Sequence, residues 1–314
     1  MWIWIRYRFY SGFITACLLL VIVAQVRGDG AYSILELPFH TRSLSMAGVG
    51  TADPNGRDAS AFNPALLALG DSELQHFFLS FLSYPAGIKS GAVEWRKNWR
   101  GFPFAISVRH INYGDFTELD EDGNTIGDFG ADESWISAAT SYPLLPGVAL
   151  GGSAGLLVSQ VEDVSATLGL ISVGTAIEIS RYDLHLGFAI NNLGITLSSY
   201  TQYNETIPTS VAGGITKKLK YLPMEISVDG SWWGKEERGV IRVGGEFNLP
   251  HDLYLRWGTS SYKLGQMTQN LYRDIITETA LGVGLKIDKL VVDLGINYGG
   301  VAGVILGVGT SWKF

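Results

Sequence analysis

Regular alternation between apolar and small or polar residues dominates the C-terminal half of this chain of 314 residues. Because successive side chains of an extended strand point to opposite faces, the pattern predicts β-strands with one apolar face. The apolar or aromatic face of the last segment comprises Val304, Leu306, Val308, Thr310, Trp312 and Phe314. The opposite face comprises Gly303, Ile305, Gly307, Gly309, Ser311 and Lys313. The same alternation recurs over residues 224–232, 241–247, 253–258, 281–287 and 290–298.

A soluble sandwich also alternates, with its apolar face turned inward, so the pattern alone leaves two fold classes open. Aromatic residues at the strand ends favour a membrane barrel, in which such residues form girdles at the two interfaces. These residues are Trp232, Phe247, Trp257, Tyr298, Trp312 and Phe314. The opposite face combines glycine with charged residues such as Arg242 and Glu246, which suits a hydrated or plugged lumen.

The connections between the predicted strands alternate in length. Short links at 98–101, 144–147, 180–182, 249–251 and 288–289 contrast with long ones at 112–133, 192–208 and 260–278. Outer-membrane barrels carry short turns on the periplasmic side and long loops outside. The sequence therefore predicts an all-β fold: a transmembrane antiparallel barrel of about 14 strands over residues 74–314, closed by the strand that ends at Phe314. Predicted strand starts lie near residues 74, 90, 102, 134, 148, 166, 183, 209, 223, 239, 252, 279, 290 and 303.

Residues 1–28 have the composition of a secretory signal peptide. Arg6 and Arg8 precede an apolar run from Phe13 to Val26, and small residues at Ala24 and Gly28 offer two cleavage sites. A single membrane anchor is the alternative, although a span needs roughly 20 apolar residues. Without residues 1–28 the chain has 20 basic and 30 acidic residues, a net charge of −10, and no cysteine. Such an acidic chain is a poor partner for nucleic acid.

Residues 29–73 do not fit a membrane strand, because Pro38, Pro54 and Pro64 interrupt them. The run Asn63-Pro64-Ala65-Leu66-Leu67 predicts a turn that enters a short helix. The segment is rich in apolar residues, which favours a plug that folds into the barrel mouth over an exposed periplasmic tail.

No constellation in the sequence predicts catalysis, a cofactor or a resident metal. Residues 151–155 match the Gly-x-Ser-x-Gly pattern of hydrolases, but they lie within a predicted strand and not at a strand-to-helix turn. The five histidines show no ligand spacing. The acidic run from Asp120 departs from a calcium loop, since Thr125 and Ala131 replace the required Gly and Glu. A turn is the simpler interpretation, with weak Ca²⁺ binding as the alternative.

Two stretches of the N-terminal segment resemble the signature of the PorV/PorQ family, relatives of the FadL-type transporters. They are residues 42–48 (RSLSMAG) and 58–67 (DASAFNPALL), with Met46, Gly48, Asn63, Pro64 and Ala65 as signature positions. The longer similarity is to the PorQ branch of the family. It includes residues 111–116 (INYGDF), 120–124 (DEDGN), 127–129 (GDF), 191–194 (NNLG) and 205–208 (ETIP), and extends over roughly residues 31–314.

This resemblance implies a fourteen-stranded outer-membrane barrel with an N-terminal plug and a non-enzymatic role in type IX secretion. Family members of this kind belong to a surface attachment complex with PorU-, PorV- and PorZ-like proteins. That complex processes secreted cargo and fixes it to the cell surface. The implied partners are these proteins and outer-membrane lipid, and the FadL relationship allows a hydrophobic ligand in the lumen.

The first functional hypothesis is therefore an anchoring barrel whose surface loops contact a partner. The candidate contact residues are Asn112, Tyr113, Asp115, Phe116, Asp120, Asp122, Asn124, Asp128 and Phe129. The alternative is a FadL-type transporter of long-chain fatty acids or other hydrophobic compounds, in which Arg242 and Arg256 could meet a carboxylate. The predicted lumen face is mostly Gly, Ser, Asp, Glu and Arg, which argues against a long apolar tunnel. A purely structural, porin-like barrel is a third hypothesis.

Overall fold

Fourteen antiparallel strands close into one barrel in the computed structural model, which describes residues 32–56, 58–69, 75–120, 122–268 and 270–314. Each strand pairs with its neighbours in sequence, and the first pairs with the last, so that His76 lies opposite Lys313. The predicted fold class is confirmed. The predicted signal peptide lies outside the described residues. The strands are β1 (His76–Ser83), β2 (Lys89–Trp99), β3 (Phe102–Leu119), β4 (Thr125–Leu145), β5 (Val148–Val161), β6 (Val164–Ile179), β7 (Leu184–Ser198), β8 (Ser210–Lys218), β9 (Met224–Trp233), β10 (Arg238–Leu249), β11 (Leu253–Ser260), β12 (Thr279–Ile287), β13 (Leu290–Tyr298) and β14 (Val304–Lys313).

Short helices lie before β1 and in the connections. None of the helices in the described ranges is long and apolar enough to cross a membrane. The α-helices are Thr41–Leu44, Ala59–Phe62 and Leu271–Ile276, and the 3-10 helices are Ser33–Leu35, Pro64–Ala68, Pro85–Gly87, Ser180–Tyr182, Ser261–Gln266 and Gly300–Ala302.

The apolar faces of the strands point outward. In β3, Ile106 and Val108 are each 45% exposed, whereas Ser107 and Arg109 between and after them are 2% and 5% exposed. In β14, Leu306 and Val308 likewise face out while Ser311 is buried. A soluble sandwich would bury these apolar faces, so the arrangement is that of a barrel with an apolar solvent around it.

The two ends of the barrel differ in their connections. We call the end with the connections at 100–101, 146–147, 180–183, 219–223, 250–252 and 288–289 the turn end. The other, the loop end, carries the long connections at 199–209 and 261–278. Lengths are not perfectly sorted, because β5 and β6 are joined at the loop end by Glu162 and Asp163 alone.

All but one of the predicted strand starts lie within two residues of the observed start. The exception is β4, which begins at Thr125 and not near Ser134, so the predicted long loop 112–133 is wrong. β3 continues to Leu119, and Phe116 pairs with Phe129 after a bulge at 112–115. The described part of β3 has no β2 partner beyond Asn112, and β4 has no β5 partner before Ala131. The described residues between 113 and 130 therefore form a two-stranded ribbon at the loop end without a ladder to β2 or β5, which we call the projecting hairpin.

The described residues of the N-terminal segment, 32–56 and 58–69, lie inside the barrel. We call residues 32–39 the strap and the described residues from 40 to 69 the plug core. Glycines on the inner wall allow this segment to pack closely. A Cβ added to Gly187 would overlap the carbonyl of Thr51, and one on Gly258 would overlap the backbone at Met46 and Ala47. The plug core therefore contacts the wall backbone to backbone.

Candidate ligand-binding cavity

The strap is attached to the wall at the loop end. The Ile34 backbone N–H donates to Glu133 Oε2 at 3.0 Å, and Ser33 hydrogen-bonds the Tyr113 hydroxyl. Glu36 forms an ion pair with Arg238 at the start of β10. These contacts fix the strap across the mouth of the barrel.

A buried ion network fixes the plug core nearer the turn end. Arg42, which is 2% exposed, pairs with Asp53 of the plug core and, at 3.0 Å, with Glu246 of β10. Glu246 also accepts from Arg256 of β11, whose Nη1 lies 2.6 Å from Asp293 Oδ1 of β13. Buried charges of this kind persist only when they are paired and hydrogen-bonded, so the network ties the plug to three strands.

Asn63 and Asp229 make further polar attachments of the plug core, beside hydrogen bonds such as that from the Thr41 N–H to Ser80. Asn63 accepts from the Ala65 N–H at 3.1 Å and donates to the carbonyls of Thr51 and Thr175 at 2.8 and 3.0 Å. Asp229 of β9 accepts the backbone N–H groups of Gly50 and Thr51, both at 2.7 Å. Asn63 thus caps the helix Pro64–Ala68 and bonds to the wall at once.

The signature residues of the N-terminal segment lie together along this packed surface. Met46 is buried against glycines of the wall, and Gly48 adopts φ +80°, a conformation that favours glycine, beside Arg242. Pro64 and Ala65 pack against Gly151 of β5, where a Cβ would overlap their backbone. These signature positions are therefore positions at which the plug core packs against the wall.

A small cavity of about 30 Å³ lies between the strap, the plug core and the wall of β7 to β10. Apolar side chains and polar groups both line it. The lining residues are Leu35, Glu36, Leu37, Gly48, Thr51, Ala61, Phe62, Arg109, Asn191, Asn192, Ser210, Ala212, Asp229, Ser231, Trp233 and Arg242.

Two arginines line the cavity. Arg242 Nη1 donates to Ser231 Oγ at 3.4 Å, and Arg109 lies 5.4 Å over the ring of Phe39 with Nη2 3.7 Å from Asp58 Oδ1. Of the two arginines expected to meet a carboxylate, Arg242 lines the cavity. The expectation for Arg256 is wrong, because Glu246 and Asp293 engage its guanidinium. Arg109 was missed, although its inward position follows from the alternation with Val108 and Ser107.

Four buried side chains of the cavity lining carry polar atoms without a hydrogen-bond partner. Donors are left on Arg109, at Nε and Nη2, and on Trp233, at Nε1. Acceptors are left on Asn191 and Asp229, each at Oδ1. All four residues are at most 7% exposed. Such unpaired buried groups are uncommon and require an explanation.

The barrel wall is interrupted beside the cavity. The β6–β7 register shifts between Ile171 and Val173, and Asn192 adopts φ +61°. The β7–β8 ladder ends at the pair Asn191 and Ser210, so β7 continues to Ser198 with a partner on one side only among the described residues. The bulge and the missing ladder leave this part of the wall less constrained than a strand paired on both sides.

The candidate contact residues divide into two groups in the structure. Tyr113 faces the lumen side and bonds the strap, and Asn112 accepts from the Gly114 N–H at the hairpin base. Asp115, Phe116, Asp120, Asp122, Asn124, Asp128 and Phe129 belong to the projecting hairpin. Phe116 and Phe129 stack with ring centroids 5.4 Å apart. The predicted single loop surface is therefore a ribbon with Tyr113 on its inner side.

The tip of the projecting hairpin is a self-satisfied turn. Asp120 accepts the backbone N–H and the side-chain amide of Asn124 at 2.8 and 2.9 Å, and the N–H of Asp122 at 3.0 Å. The hydrogen bond from the Asn124 side chain, followed by that from its backbone, lowers the pKa of Asp120. No group of three or more His, Cys, Asp or Glu residues in the described part of the chain is arranged to hold a metal ion.

A closed antiparallel barrel with an apolar exterior and an N-terminal plug inside defines this chain as a FadL-like barrel in fold. The solved structures it resembles include the toluene transporter TodX of Pseudomonas putida, with a TM-score of 0.62 and 13% identity over 93% of this chain and 99% of that chain. The toluene transporter TbuX of Ralstonia pickettii matches with a TM-score of 0.59 and 12% identity over 88% and 97% of the two chains. A FadL homologue of Pseudomonas aeruginosa matches with a TM-score of 0.51 and 10% identity over 88% and 97%.

These likenesses show the fold alone at such low identity. No protein-family model and no curated protein sequence matches the chain. Membership of the PorQ branch therefore stays a prediction from the sequence.

Proposed function

We propose that this protein is a non-enzymatic barrel of the cell outer membrane through which small, largely apolar organic compounds pass. The observation that carries the proposal is the cavity enclosed between the strap, the plug core and the interrupted wall of β7 and β8. The apolar outer face supports the location in a membrane. The transporters with the same fold support the class of activity.

The lumen is more apolar than the sequence pattern predicted, which supports the passage of apolar compounds. In the loop-end half, the inward-facing side chains of Ile111, Trp135, Leu157, Leu168 and Leu170 form one apolar cluster with the strap. The expected polar lumen fits the turn-end half, where the ion network lies, while the loop-end half combines this apolar cluster with buried polar residues such as Glu133 and Arg238. An apolar compound that enters from the loop end would therefore meet an apolar surface before it reaches the cavity.

Filling the cavity should block passage. Ala212 lines the cavity and is 4% exposed, whereas its neighbour Val211 faces outward and is 41% exposed. We expect Ala212→Trp to lower the uptake of labelled toluene by about tenfold or more, because the indole would fill the cavity and a close-packed interior yields little to an inserted side chain. Val211→Trp, which adds the same side chain to the outer face, should transport like the unchanged protein. Equal uptake by the two variants, at equal levels of folded barrel, would refute a route through the cavity.

Anchoring of a surface complex is the second candidate function, and the projecting hairpin favours it. Residues 113–130 include six acidic residues and no lysine or arginine. Phe116, Leu119 and Ile126 are 43%, 57% and 60% exposed on a ribbon whose described edges are unpaired. Unpaired strand edges and exposed apolar side chains are both features of interaction surfaces. A PorU-, PorV- or PorZ-like partner with a basic surface would fit this hairpin.

Replacement of both stacked phenylalanines tests the second function. We expect Phe116→Ser with Phe129→Ser to release surface-attached cargo into the medium while toluene uptake is unchanged. Tyr272→Ser is the matched control, since Tyr272 is an aromatic residue at the same end that is 84% exposed and lies outside the hairpin. Cargo that stays attached in the double variant would exclude the hairpin as the anchor.

A further inference from the structure

We infer that the connection between β11 and β12 lies in the outer leaflet of the membrane, where it contacts lipid acyl chains and pairs with anionic lipid headgroups. We call its described residues, 261–268 and 270–278, the rim segment. This surface is separate from the route through the barrel, and the proposed function does not use it. Four features carry the inference: exposed apolar side chains, their position outside the wall, the short strands below them and the charge beside them.

Large apolar side chains of the rim segment are exposed. Within the helix Leu271–Ile276, four of the six residues are apolar or aromatic, and each of the four is more than half exposed. Val301, on the connection between β13 and β14, is 74% exposed, and its backbone N–H donates to Gln266 at 3.2 Å, so the two connections lie side by side. The exposed side chains are Leu264, Met267, Leu271, Tyr272, Ile275, Ile276 and Val301. Such a cluster is uncommon on a surface that meets water and marks a contact with lipid or with another molecule.

The helix of the rim segment lies on the outer side of the wall. Thr279 has the same position in the alternation of β12 as Leu281, which faces outward and is 53% exposed. The Thr279 hydroxyl donates to the Ile275 carbonyl at 3.1 Å, so the last turn of the helix lies against the outward face at the end of β12. The start of the segment lies on the lumen side instead, because the Tyr262 hydroxyl accepts from Arg238 Nη1 at 3.3 Å. The rim segment therefore crosses from the lumen to the side that faces the membrane.

The wall is short where the rim segment is attached. β11 has 8 residues and β12 and β13 have 9 each, whereas β3 and β4 have 18 and 21. Strands of this shorter kind, tilted by roughly 40°, rise about 20 Å along the membrane normal, which is less than the apolar band of about 25 Å. On this side of the barrel the chain beyond the strands therefore still lies at the depth of the acyl chains. The apolar helix supplies the missing height of the band.

The acidic side chains of the rim segment are already engaged within the protein. Asp274 accepts from the backbone N–H and the hydroxyl of Thr268 at 2.8 and 3.0 Å. Glu278 accepts from Ser260 Oγ at 2.9 Å. Arg273, by contrast, is exposed and engages the described residues only through its backbone. The charge that the segment offers to a partner is therefore positive.

Lipid headgroups of the outer leaflet complement this charge. The long loops of outer-membrane barrels lie outside, so the rim segment meets the outer leaflet, whose headgroups carry phosphate. Arg273 and Lys263 are cations that bind such groups at the membrane surface. The projecting hairpin, with its six acidic residues, gives another part of the loop end the opposite charge. Anionic headgroups are therefore favoured at the rim segment and repelled from the hairpin.

Spin labels at single cysteines measure the depth of the rim segment. The chain contains one cysteine, so Cys17→Ser with one introduced cysteine carries one label. In liposomes of phosphatidylcholine and lipid A, labels at Leu271→Cys and Ile275→Cys should collide more often with oxygen, which concentrates among acyl chains, than with a water-soluble nickel chelate. A label at Leu306→Cys, on the outer face of β14, should behave in the same way. A label at Asp122→Cys, which is exposed at the tip of the projecting hairpin, should show the opposite preference.

The two reference labels separate the ways in which this experiment can fail. Labels at 271 and 275 that met the nickel chelate as often as the label at 122 would place the rim segment in water and overturn the inference. Labels shielded from both reagents would indicate contact with a second copy of the chain in place of lipid, and would overturn it too. If the label at 306 also failed to meet oxygen, the membrane location would be wrong, and the proposed function with it.

Arg273→Gln with Lys263→Gln tests the pairing with headgroups. We expect the purified full chain in detergent to retain about fivefold less lipid A in this double variant, counted by native mass spectrometry, because two cations near the membrane surface are lost. Lys218→Gln with Lys220→Gln is the matched control, since it removes the same charge from the turn end. Unchanged retention in the first variant, or an equal loss in both, would contradict the pairing.

Discussion

Replacement of Gly151 by valine should open the barrel. Gly151 faces the lumen from β5, and a Cβ at this position would overlap the backbone of Pro64 and Ala65. Because backbone and not a flexible side chain is in the way, the plug core cannot yield locally and has to leave its position. Valine is favourable within a β-strand, so the wall itself should remain intact. We expect single-channel conductance in planar bilayers to rise about tenfold or more, since overpacking of this kind destabilises docking by about 1–3 kcal/mol or more.

Gly152 provides the control for this experiment. It is the next residue of the same strand, and a Cβ there would meet its nearest atom, the Ser172 carbonyl oxygen, at 3.8 Å, an ordinary contact. Gly152→Val should therefore conduct like the unchanged protein and resist protease in the same way. If Gly151→Val also remained closed with residues 40–69 protected from protease, the close packing of the plug against β5 would be wrong.

Where one face of a strand is uniformly apolar, the sequence was sufficient to predict the fold. β14 is the clearest case: its predicted apolar face, which includes Leu306 and Val308, is the exposed one. The starts of most strands were predicted correctly because the alternation begins close to where each strand begins. The projecting hairpin was missed because residues 113–130 leave the apolar surroundings, so that their outer positions carry Asp and Gly where a membrane strand carries Val or Leu.

The cavity could be predicted only in part. Leu156, Leu157 and Val158 of β5 are consecutive apolar residues, so periodicity cannot tell that Leu157 points inward at 0% exposure while its neighbours face out. The apolar half of the lumen was hidden for this reason. Contacts between the plug and the wall join distant residues, such as Arg42 and Glu246, and no local pattern encodes their pairing. The signature around Asn63 indicated a plug without showing which strands it contacts.

Replacement of Arg42 by glutamine should release the plug core from the wall. Loss of an exposed surface ion pair should leave the plug core in place. Arg42 is 2% exposed and is shared by Asp53 and Glu246, so that Arg42→Gln leaves buried Asp53 without its cation and Glu246 with Arg256 alone. Removing one partner of a buried pair costs about 3–5 kcal/mol. If that cost falls on docking, the opened population of the plug core increases roughly 100-fold to 4,000-fold, at about 1.4 kcal/mol for each factor of ten. Hydrogen exchange of the amides of residues 41–56, followed by mass spectrometry, measures this population.

Lys286→Gln is the matched control, because Lys286 pairs with Asp252 at 3.7 Å and the two side chains are 40% and 60% exposed. Exposed pairs contribute about 0–1 kcal/mol, so exchange of the plug core should not change. A second substitution separates charge from packing: Asp53→Asn added to Arg42→Gln removes one uncompensated carboxylate and should restore part of the protection. If Arg42→Gln exchanged no faster than Lys286→Gln, the ion network would not be what holds the plug core, and other plug–wall contacts, such as those of Asn63 and Asp229, would have to do so instead.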